Sequence, residues 1–279
     1  MDEIKIKAPA KINLFLHVLR KRKDGYHDIE SGISLINLYD EISIKKNTKT
    51  NINFEGPFKP DKGYYENCII KKTLNFLGLD NNFNFNINIK KNIPTEAGLG
   101  SASTNAAALI KALDTNKIRK INTDYKFYSS IGADIPFFLF GKNAIVSGIG
   151  EKLNYYKIPS YYFLLVKPLI NFSTKNMYGK ISRNISSKKN KEIKNYINND
   201  YKRNDFEAIA IKENNEMYEL INFLSSTKNC IFSRMSGSGS CCYATYDNLN
   251  FAVNAQKNVK DKFPKYWSFV ANNNTINTK

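Results

Sequence analysis

The sequence of 279 residues has no apolar run of the roughly 18 residues that a bilayer-spanning helix needs. Its first residues, Met-Asp-Glu-Ile-Lys, also lack the charged-then-apolar pattern of a secretory signal. Both absences argue against a membrane-spanning or secreted protein. We therefore expect a soluble protein without a membrane partner, located in the cytoplasm, or in a plastid-type organelle if a targeting segment was removed.

Cysteine is rare and shows no metal-binding or disulfide pattern. The four cysteines are Cys68, Cys230, Cys241 and Cys242. None of them forms the CxxC spacing typical of zinc sites, and the one close pair is vicinal. This distribution favours reduced thiols over a disulfide framework and predicts no zinc site.

Acidic residues are few relative to basic ones, which leaves a formal net charge of +17. A nucleic-acid partner would require the lysines and arginines to cluster on one surface. Here the lysines are spread along the chain, and many stand beside asparagine, as in 47–51. The charge therefore attracts polyanionic small molecules in general, and we expect no nucleic-acid partner.

Strand and helix patterns alternate in both halves of the chain, which predicts an α+β protein of two domains, 1–155 and 156–279. Predicted strands cover 4–8, 12–19, 41–44, 83–90, 161–166 and 267–270, and predicted helices cover 67–76, 104–113 and 213–224. The segment 231–246 predicts a strand, a glycine turn and a strand, whereas 188–202 is a polar, solvated helix or loop.

A small-residue loop over 94–104 stands between an alternating strand and an alanine-rich helix. Gly98 and Gly100 allow the backbone to approach a ligand closely. The hydroxyls of Ser101, Ser103 and Thr104 and the free N–H groups of the following helix suit a phosphate. On this segment alone, a plain turn before a buried helix is an equal alternative.

Two isolated charged residues stand in apolar surroundings. Lys11 and Asn13 share one face of an apolar strand, because strand side chains alternate. Lys11 is either a solvated edge residue or an ammonium in a cleft, and the spacing alone favours the edge position. Asp134 is the one carboxylate in the apolar stretch 131–141, which predicts burial and a partner. It is either a helix-capping residue or the partner of Lys11.

The turn signal Asp24-Gly25 places Tyr26 and His27 together after a tight turn. An aromatic ring beside an imidazole can stack on a flat heterocycle and hydrogen-bond its edge. From the turn alone, a surface turn residue is the favoured interpretation of His27 over a ligand contact. The other histidine, His17, lies in an apolar strand and is interpreted as structural.

A second glycine-serine turn, 236–240, lies between two predicted strands. Its backbone N–H groups can cradle an anion, although a simple hairpin would have the same sequence. This turn is therefore a second candidate anion site, located in the second half of the chain.

In this order, the segments resemble the GHMP kinases. The superfamily pattern is the loop and helix start at 94–108 together with the turn 237–239. Three further segments, 9–14, 24–27 and 132–138, resemble the members that phosphorylate 4-diphosphocytidyl-2-C-methyl-D-erythritol. The resemblance covers nearly the whole chain, and the ordered co-occurrence is far more specific than any single motif.

The resemblance implies a two-domain GHMP kinase fold with the active site in the cleft between the domains. The N-terminal domain would be of the ribosomal-protein-S5-domain-2-like type, and the C-terminal domain a ferredoxin-like α/β domain. The implied reaction transfers the γ-phosphoryl of ATP, with Mg²⁺, to the 2-hydroxyl of the acceptor in non-mevalonate isoprenoid biosynthesis. A monomer or a homodimer is expected.

The resemblance also assigns residue roles. Asp134 would accept the hydroxyl proton, and Lys11 would hold the carboxylate and the attacking oxygen in place. The implied ATP loop comprises Pro94, Thr95, Glu96, Ala97, Gly98, Leu99, Gly100, Ser101, Ala102, Ser103 and Thr104. The implied substrate residues are Asn13, Tyr26, His27, Tyr178, Gly237, Ser238 and Gly239, with the aromatic ones against cytosine. Mg²⁺ would be carried by ATP, with Ser103 as a candidate contact.

The loop departs from the family pattern, which usually reads Gly-Leu-Gly-Gly-Gly-Ser-Ser, because Ser101 and Ala102 replace two glycines. Ser103 and Thr104 keep the hydroxyl pair, so we expect phosphate binding by a stiffer loop. The change also resembles the loops of mevalonate kinases and diphosphomevalonate decarboxylases, whereas 24–27 favours a cytidine substrate. Outside the enzymes, the alternative is a basic RNA-binding protein.

Overall fold

The computed structural model describes residues 3–61, 68–79, 83–181 and 203–274. The polar segment predicted at 188–202 lies outside these residues, as does the start of the helix predicted from residue 67. No helix within the described ranges is long and apolar enough to cross a bilayer.

The first sheet is built on a long antiparallel hairpin. Its strands are β1 Ile4–Lys21, β2 His27–Lys46, β3 Asn51–Glu55, β4 Phe85–Lys90, β5 Ala144–Gly148 and β6 Lys152–Tyr155. They pair in the order β3-β4-β2-β5-β6, with β1 on β2; β3 and β4 run parallel. The strands predicted at 4–8 and 12–19 are one strand, because a register shift after Pro9 bends β1 without ending its pairing.

Helices from the first half of the chain pack against this sheet and close its core. They are α1 Ile69–Phe76, α2 Ser101–Thr115 and α3 Ile135–Phe140, with a short 3-10 helix at Tyr125–Ser130. The alanines at 106–108 are buried, so α2 approaches the sheet closely. The helix begins before its predicted start at 104, because Gly100 takes a left-handed φ of 76° as the N-cap.

The second sheet is antiparallel and carries its own helices. Its strands are β7 Tyr162–Lys167, β8 Phe232–Met235, β9 Cys242–Tyr246 and β10 Trp267–Asn272, in the order β10-β7-β9-β8. The helices are α4 Thr174–Gly179, α5 Asp205–Glu213, α6 Asn215–Ser226 and α7 Leu249–Lys262. The predicted strand-turn-strand at 231–246 and the helix at 213–224 are confirmed. The domain division at 155 stays a prediction.

Strand β1 connects the two parts of the molecule. Its far end enters the second core, where Leu16 and Val18 are buried and the Val18 N–H donates to Asp205 Oδ2 at 2.7 Å. Lys11 and Asn13 lie before this point, beside Ala10 and Ile12, which belong to a third apolar cluster shared with the 93–99 segment and the second sheet. This path places both polar side chains beside the cleft that separates the sheets.

Candidate active site

A cleft of about 890 Å³ receives residues from both sheets. Most of the residues predicted to act lie along it: Lys11, Asn13, the loop from Pro94 to Ser103, Asp134, Tyr178 and the turn Gly237, Ser238 and Gly239. Three of the predicted residues, Tyr26, His27 and Thr104, are not among its lining residues. The cleft therefore collects segments that are distant in the sequence.

Lys11 and Asp134 face each other at 3.8 Å between Nζ and Oδ2. The Lys11 side chain is only 5% exposed, which excludes a solvated edge position. Burial lowers the pKa of the Lys11 ammonium, and the Asp134 carboxylate opposes that shift. The two side chains form a charge pair at the wall of the cleft.

The expectation that Asp134 is buried was wrong, because its side chain is 41% exposed. Asp134 stands at the N-cap of α3, but its carboxylate makes no capping hydrogen bond. The apolar residues at 135–139 enter the core and leave the aspartate at the cleft edge. Its carboxylate is thus available to a ligand rather than used to stabilise the helix.

Asn13 holds the Lys11 ammonium. Lys11 Nζ donates to Asn13 Oδ1 at 2.5 Å, and Asn13 Nδ2 donates to Ser31 Oγ at 2.8 Å. The Lys11 backbone N–H donates to the Leu99 carbonyl at 3.0 Å, which ties β1 to the small-residue loop. Asn13 therefore holds the Lys11 ammonium in position next to Asp134.

The two glycine turns pack directly on each other. Gly98 takes a left-handed φ of 69°, and a Cβ there would overlap the Ser236 carbonyl oxygen. The Ser236 hydroxyl in turn donates to the Gly98 carbonyl at 3.0 Å. A Cβ at Gly237 would lie 3.2 Å from Lys11 Nζ and from Asn13 Oδ1. The second turn therefore lines the cleft directly beside the Lys11–Asp134 pair.

The packing at Gly98 leads to a prediction. We expect Gly98→Ala to lower the free energy of unfolding by about 1–3 kcal/mol more than Gly78→Ala, because a methyl group must displace backbone atoms. Gly78 also has a left-handed φ, of 68°, but nothing lies within 4 Å of its added Cβ. The pair separates steric overlap from backbone strain. Equal losses in urea unfolding of the two variants would contradict the packing.

The hydroxyl pair of the loop is divided by the start of α2. Ser103 lines the cleft, whereas Thr104 is 1% exposed and lies on the other side of the helix. The Thr104 N–H donates to the Gly100 carbonyl at 2.9 Å, so the N–H groups before it have no helical partner. The first turn of α2 is thus open to an anion, with Ser103 as its cleft-facing hydroxyl.

An aromatic cluster borders the other end of the cleft. The rings of His27 and Tyr178 stack at 5.1 Å and 24°, and Phe206 meets Tyr178 edge-on at 4.8 Å. Burial, reinforced by the charge of Lys21, lowers the pKa of His27, which favours a neutral imidazole. Tyr26 is 61% exposed and takes no part in this stack.

Sequence patterns did not predict the apolar wall of the cleft. Its lining residues there include Phe54, Pro60, Cys68, Ile69 and Ile70. They come from β3, α1 and the chain between them, and none belongs to a polar motif. The described ranges hold no cluster of three histidine, cysteine or acidic residues that would bind a metal ion.

Sequence comparison identifies the family. The profiles described as GHMP kinases N terminal domain and GHMP kinases C terminal match residues 66–142 and 182–265. A 4-diphosphocytidyl-2-C-methyl-D-erythritol kinase of Prochlorococcus marinus subsp. pastoris is 34% identical, over 90% of this chain and 88% of the relative. One of Wolbachia sp. subsp. Brugia malayi is also 34% identical, over 96% of this chain and 97% of the relative. The chain belongs to the 4-diphosphocytidyl-2-C-methyl-D-erythritol kinase family.

Solved structures confirm the predicted GHMP kinase fold. A crystal structure of a 4-(cytidine 5'-diphospho)-2C-methyl-D-erythritol kinase has a TM-score of 0.77 at 24% identity, over 96% of this chain and 99% of that one. A homoserine kinase from Cytophaga hutchinsonii has a TM-score of 0.59 at 15% identity, over 100% and 96% of the two chains. Membership of this kinase family implies a small-molecule acceptor and the use of ATP.

Proposed function

We propose that this kinase transfers the γ-phosphoryl of ATP to the 2-hydroxyl of 4-diphosphocytidyl-2-C-methyl-D-erythritol, giving the 2-phosphate and ADP. The Lys11–Asp134 pair carries the proposal, because it stands between the small-residue loop and the aromatic cluster. The names of the relatives supply the acceptor.

The chemistry at the charge pair is mainly orientation. Asp134 Oδ2 accepts the proton of the acceptor hydroxyl, and Lys11 Nζ, held by Asn13, stabilises the charge on the attacking oxygen. Phosphoryl transfer passes through a loose transition state, so positioning and charge neutralisation dominate the catalysis. The exposed carboxylate and the buried ammonium suit these separate tasks.

The loop at 94–103 and the open first turn of α2 would hold the ATP phosphates. The apolar wall at 68–70 suits the nucleotide base, because flat heterocycles bury apolar surface in such pockets. The Ser103 hydroxyl lines the cleft and is a candidate contact for Mg²⁺, which would supply charge neutralisation when bound with the phosphates. The cleft then receives the nucleotide on one side of Asp134.

The aromatic cluster suits the cytosine of the acceptor. We expect His27→Ala and Tyr178→Ala to raise the KM for this acceptor about tenfold or more, because stacking of one base is worth about 1–3 kcal/mol. The KM for ATP should stay near the wild-type value. Tyr26→Ala should have a smaller effect, since its ring lies outside the stack.

Steady-state kinetics with each substrate varied in turn checks this expectation. Tyr155→Ala is a matched control, because this tyrosine is exposed on β6 and does not line the cleft. Parallel increases in both KM values would indicate general damage to the fold and contradict the assignment of cytosine to this cluster.

The proposed acceptor is tested by a panel of alcohols. The purified chain is incubated with ATP, Mg²⁺ and either the cytidine diphosphate acceptor, mevalonate or homoserine, and ADP release is followed. We expect rapid release with the first compound alone. Faster release with mevalonate or homoserine would reject this acceptor and assign the chain to another branch of the superfamily.

A further inference from the structure

A buried polar cluster, formed by Asp40, Lys91, Ser101 and Asn105, lies behind the small-residue loop; we call it the Asp40 cluster. All four residues are buried, and Asp40 is fully inaccessible. They come from β2, from the residue after β4 and from the first turns of α2. Ionised groups at such depth need partners for every charge.

The Lys91 ammonium uses all three of its donors within the cluster. It pairs with Asp40 Oδ2 and donates to Ser101 Oγ at 2.5 Å and to Asn105 Oδ1 at 2.7 Å. Ser101 Oγ and Asn105 Nδ2 donate in turn to Asp40 Oδ2 at 3.1 and 2.9 Å. Each member therefore contacts at least two others, so that removing one weakens the rest.

The same carboxylate also reaches the entry of the loop. Asp40 Oδ1 accepts the backbone N–H groups of Asn92 and Ile93 at 2.8 and 2.9 Å. These residues directly precede the loop, whereas Ser101 belongs to it and is also the first residue of α2. One side chain thus contacts the start of the loop and the point at which the loop enters the helix.

We propose that the Asp40 cluster is a positioning device for the nucleotide loop, and that Ser101 is the member through which this chain secures the exit of the loop. The inference rests on the proposed function, which assigns ATP to this loop. The Ser101 hydroxyl is held from behind by Lys91 and Asp40. A loop held at both ends before binding loses less conformational entropy when it closes on phosphates.

The hydroxyl, rather than the loss of glycine flexibility, is the active feature in this proposal. Ser101→Ala removes the hydroxyl and keeps the Cβ, whereas Ser101→Gly removes both. We expect both variants to bind ATP about tenfold more weakly, because each loses hydrogen bonds in a buried charged network. Ser101→Thr keeps the hydroxyl and should restore most of the affinity.

A second variant acts from behind the loop. Asn105→Ala removes a bond to Lys91 and a bond to Asp40. It should weaken ATP binding as Ser101→Ala does. The double variant should lose less than the product of the two single fold-changes, because both act on one network.

Equilibrium titration of the full chain with ATP and Mg²⁺, without acceptor, measures the effect. Ser34→Ala is the matched control, since this buried serine hydroxyl bonds to Leu35 and Asn143 away from the loop. We expect unchanged affinity in the control. In the Ser101 variants, KM for ATP should rise while kcat and the acceptor KM change little, a division that general destabilisation would not produce.

The inference is overturned if Ser101→Ala binds ATP as the wild type does, or if Ser101→Thr is as weak as Ser101→Ala. Since the titration omits the acceptor, a failure to phosphorylate the cytidine compound would reject the proposed function and leave this inference standing. Absence of any ATP binding by the wild type would reject both.

Discussion

Asp134→Asn should lower kcat by about 10² to 10⁴, the usual contribution of a positioned acid–base group. The amide has nearly the same shape as the carboxylate but cannot accept the hydroxyl proton. It also cannot form a charge pair with Lys11. The KM for ATP should remain near the wild-type value, because the loss falls on the transition state.

The position of Asp134 makes this variant a clean test. Its carboxylate makes no helix-capping hydrogen bond and is partly exposed, so the amide should leave α3 intact. Asp261→Asn, on the exposed face of α7, is the matched control and should keep the wild-type kcat. A kcat for Asp134→Asn within a few fold of wild type would remove Asp134 from the catalytic role.

Lys11→Met should lower kcat by about 10² to 10³, the cost of removing one preorganised group that stabilises transition-state charge. Methionine has a similar length, so it fills the space of the buried lysine without the ammonium. Asn13 Oδ1 would then lose its donor. The variant should therefore also be less stable, by about 1–3 kcal/mol.

The control for this variant lies on the same strand. Lys5→Met changes an exposed lysine of β1 and should alter neither kcat nor stability. Steady-state kinetics at saturating ATP, together with urea unfolding, separates the two effects in Lys11→Met. Retention of more than about a tenth of the wild-type kcat would contradict a transition-state role for the ammonium.

Sequence patterns predicted the elements in which apolar and polar residues alternate, or glycine and serine cluster, within a short stretch of chain. The alternation at 83–90 became β4, and the glycine turn at 236–240 joins β8 to β9. Strand β3 was missed although it alternates as Asn-Ile-Asn-Phe-Glu, because five residues are a short stretch for a pattern to stand out. Helix α7 buries mainly small residues, Ala252 and Ala255, so its apolar face is weak in the sequence and its stability depends on tertiary packing.

The candidate site was predictable only through the resemblance to a family. Spacing favoured an edge position for Lys11 and burial for Asp134, and both predictions were wrong. Lys11 and Asp134 are more than a hundred residues apart in the sequence, and their contact depends on the path of β1 between the two sheets. No local pattern predicts that path. Asp40 was missed for the same reason, since its partners at 91–93 and 101–105 meet it only in the folded sheet.

If the cleft phosphorylates a hydroxyl of the cytidine diphosphate acceptor, ³¹P NMR of one reaction with ATP, Mg²⁺ and this acceptor will detect the product. We expect one new phosphomonoester resonance that grows in equal amount with ADP, while the acceptor's diphosphate resonances persist. Consumption of ATP to inorganic phosphate without a phosphomonoester, or an unchanged spectrum, would contradict the account.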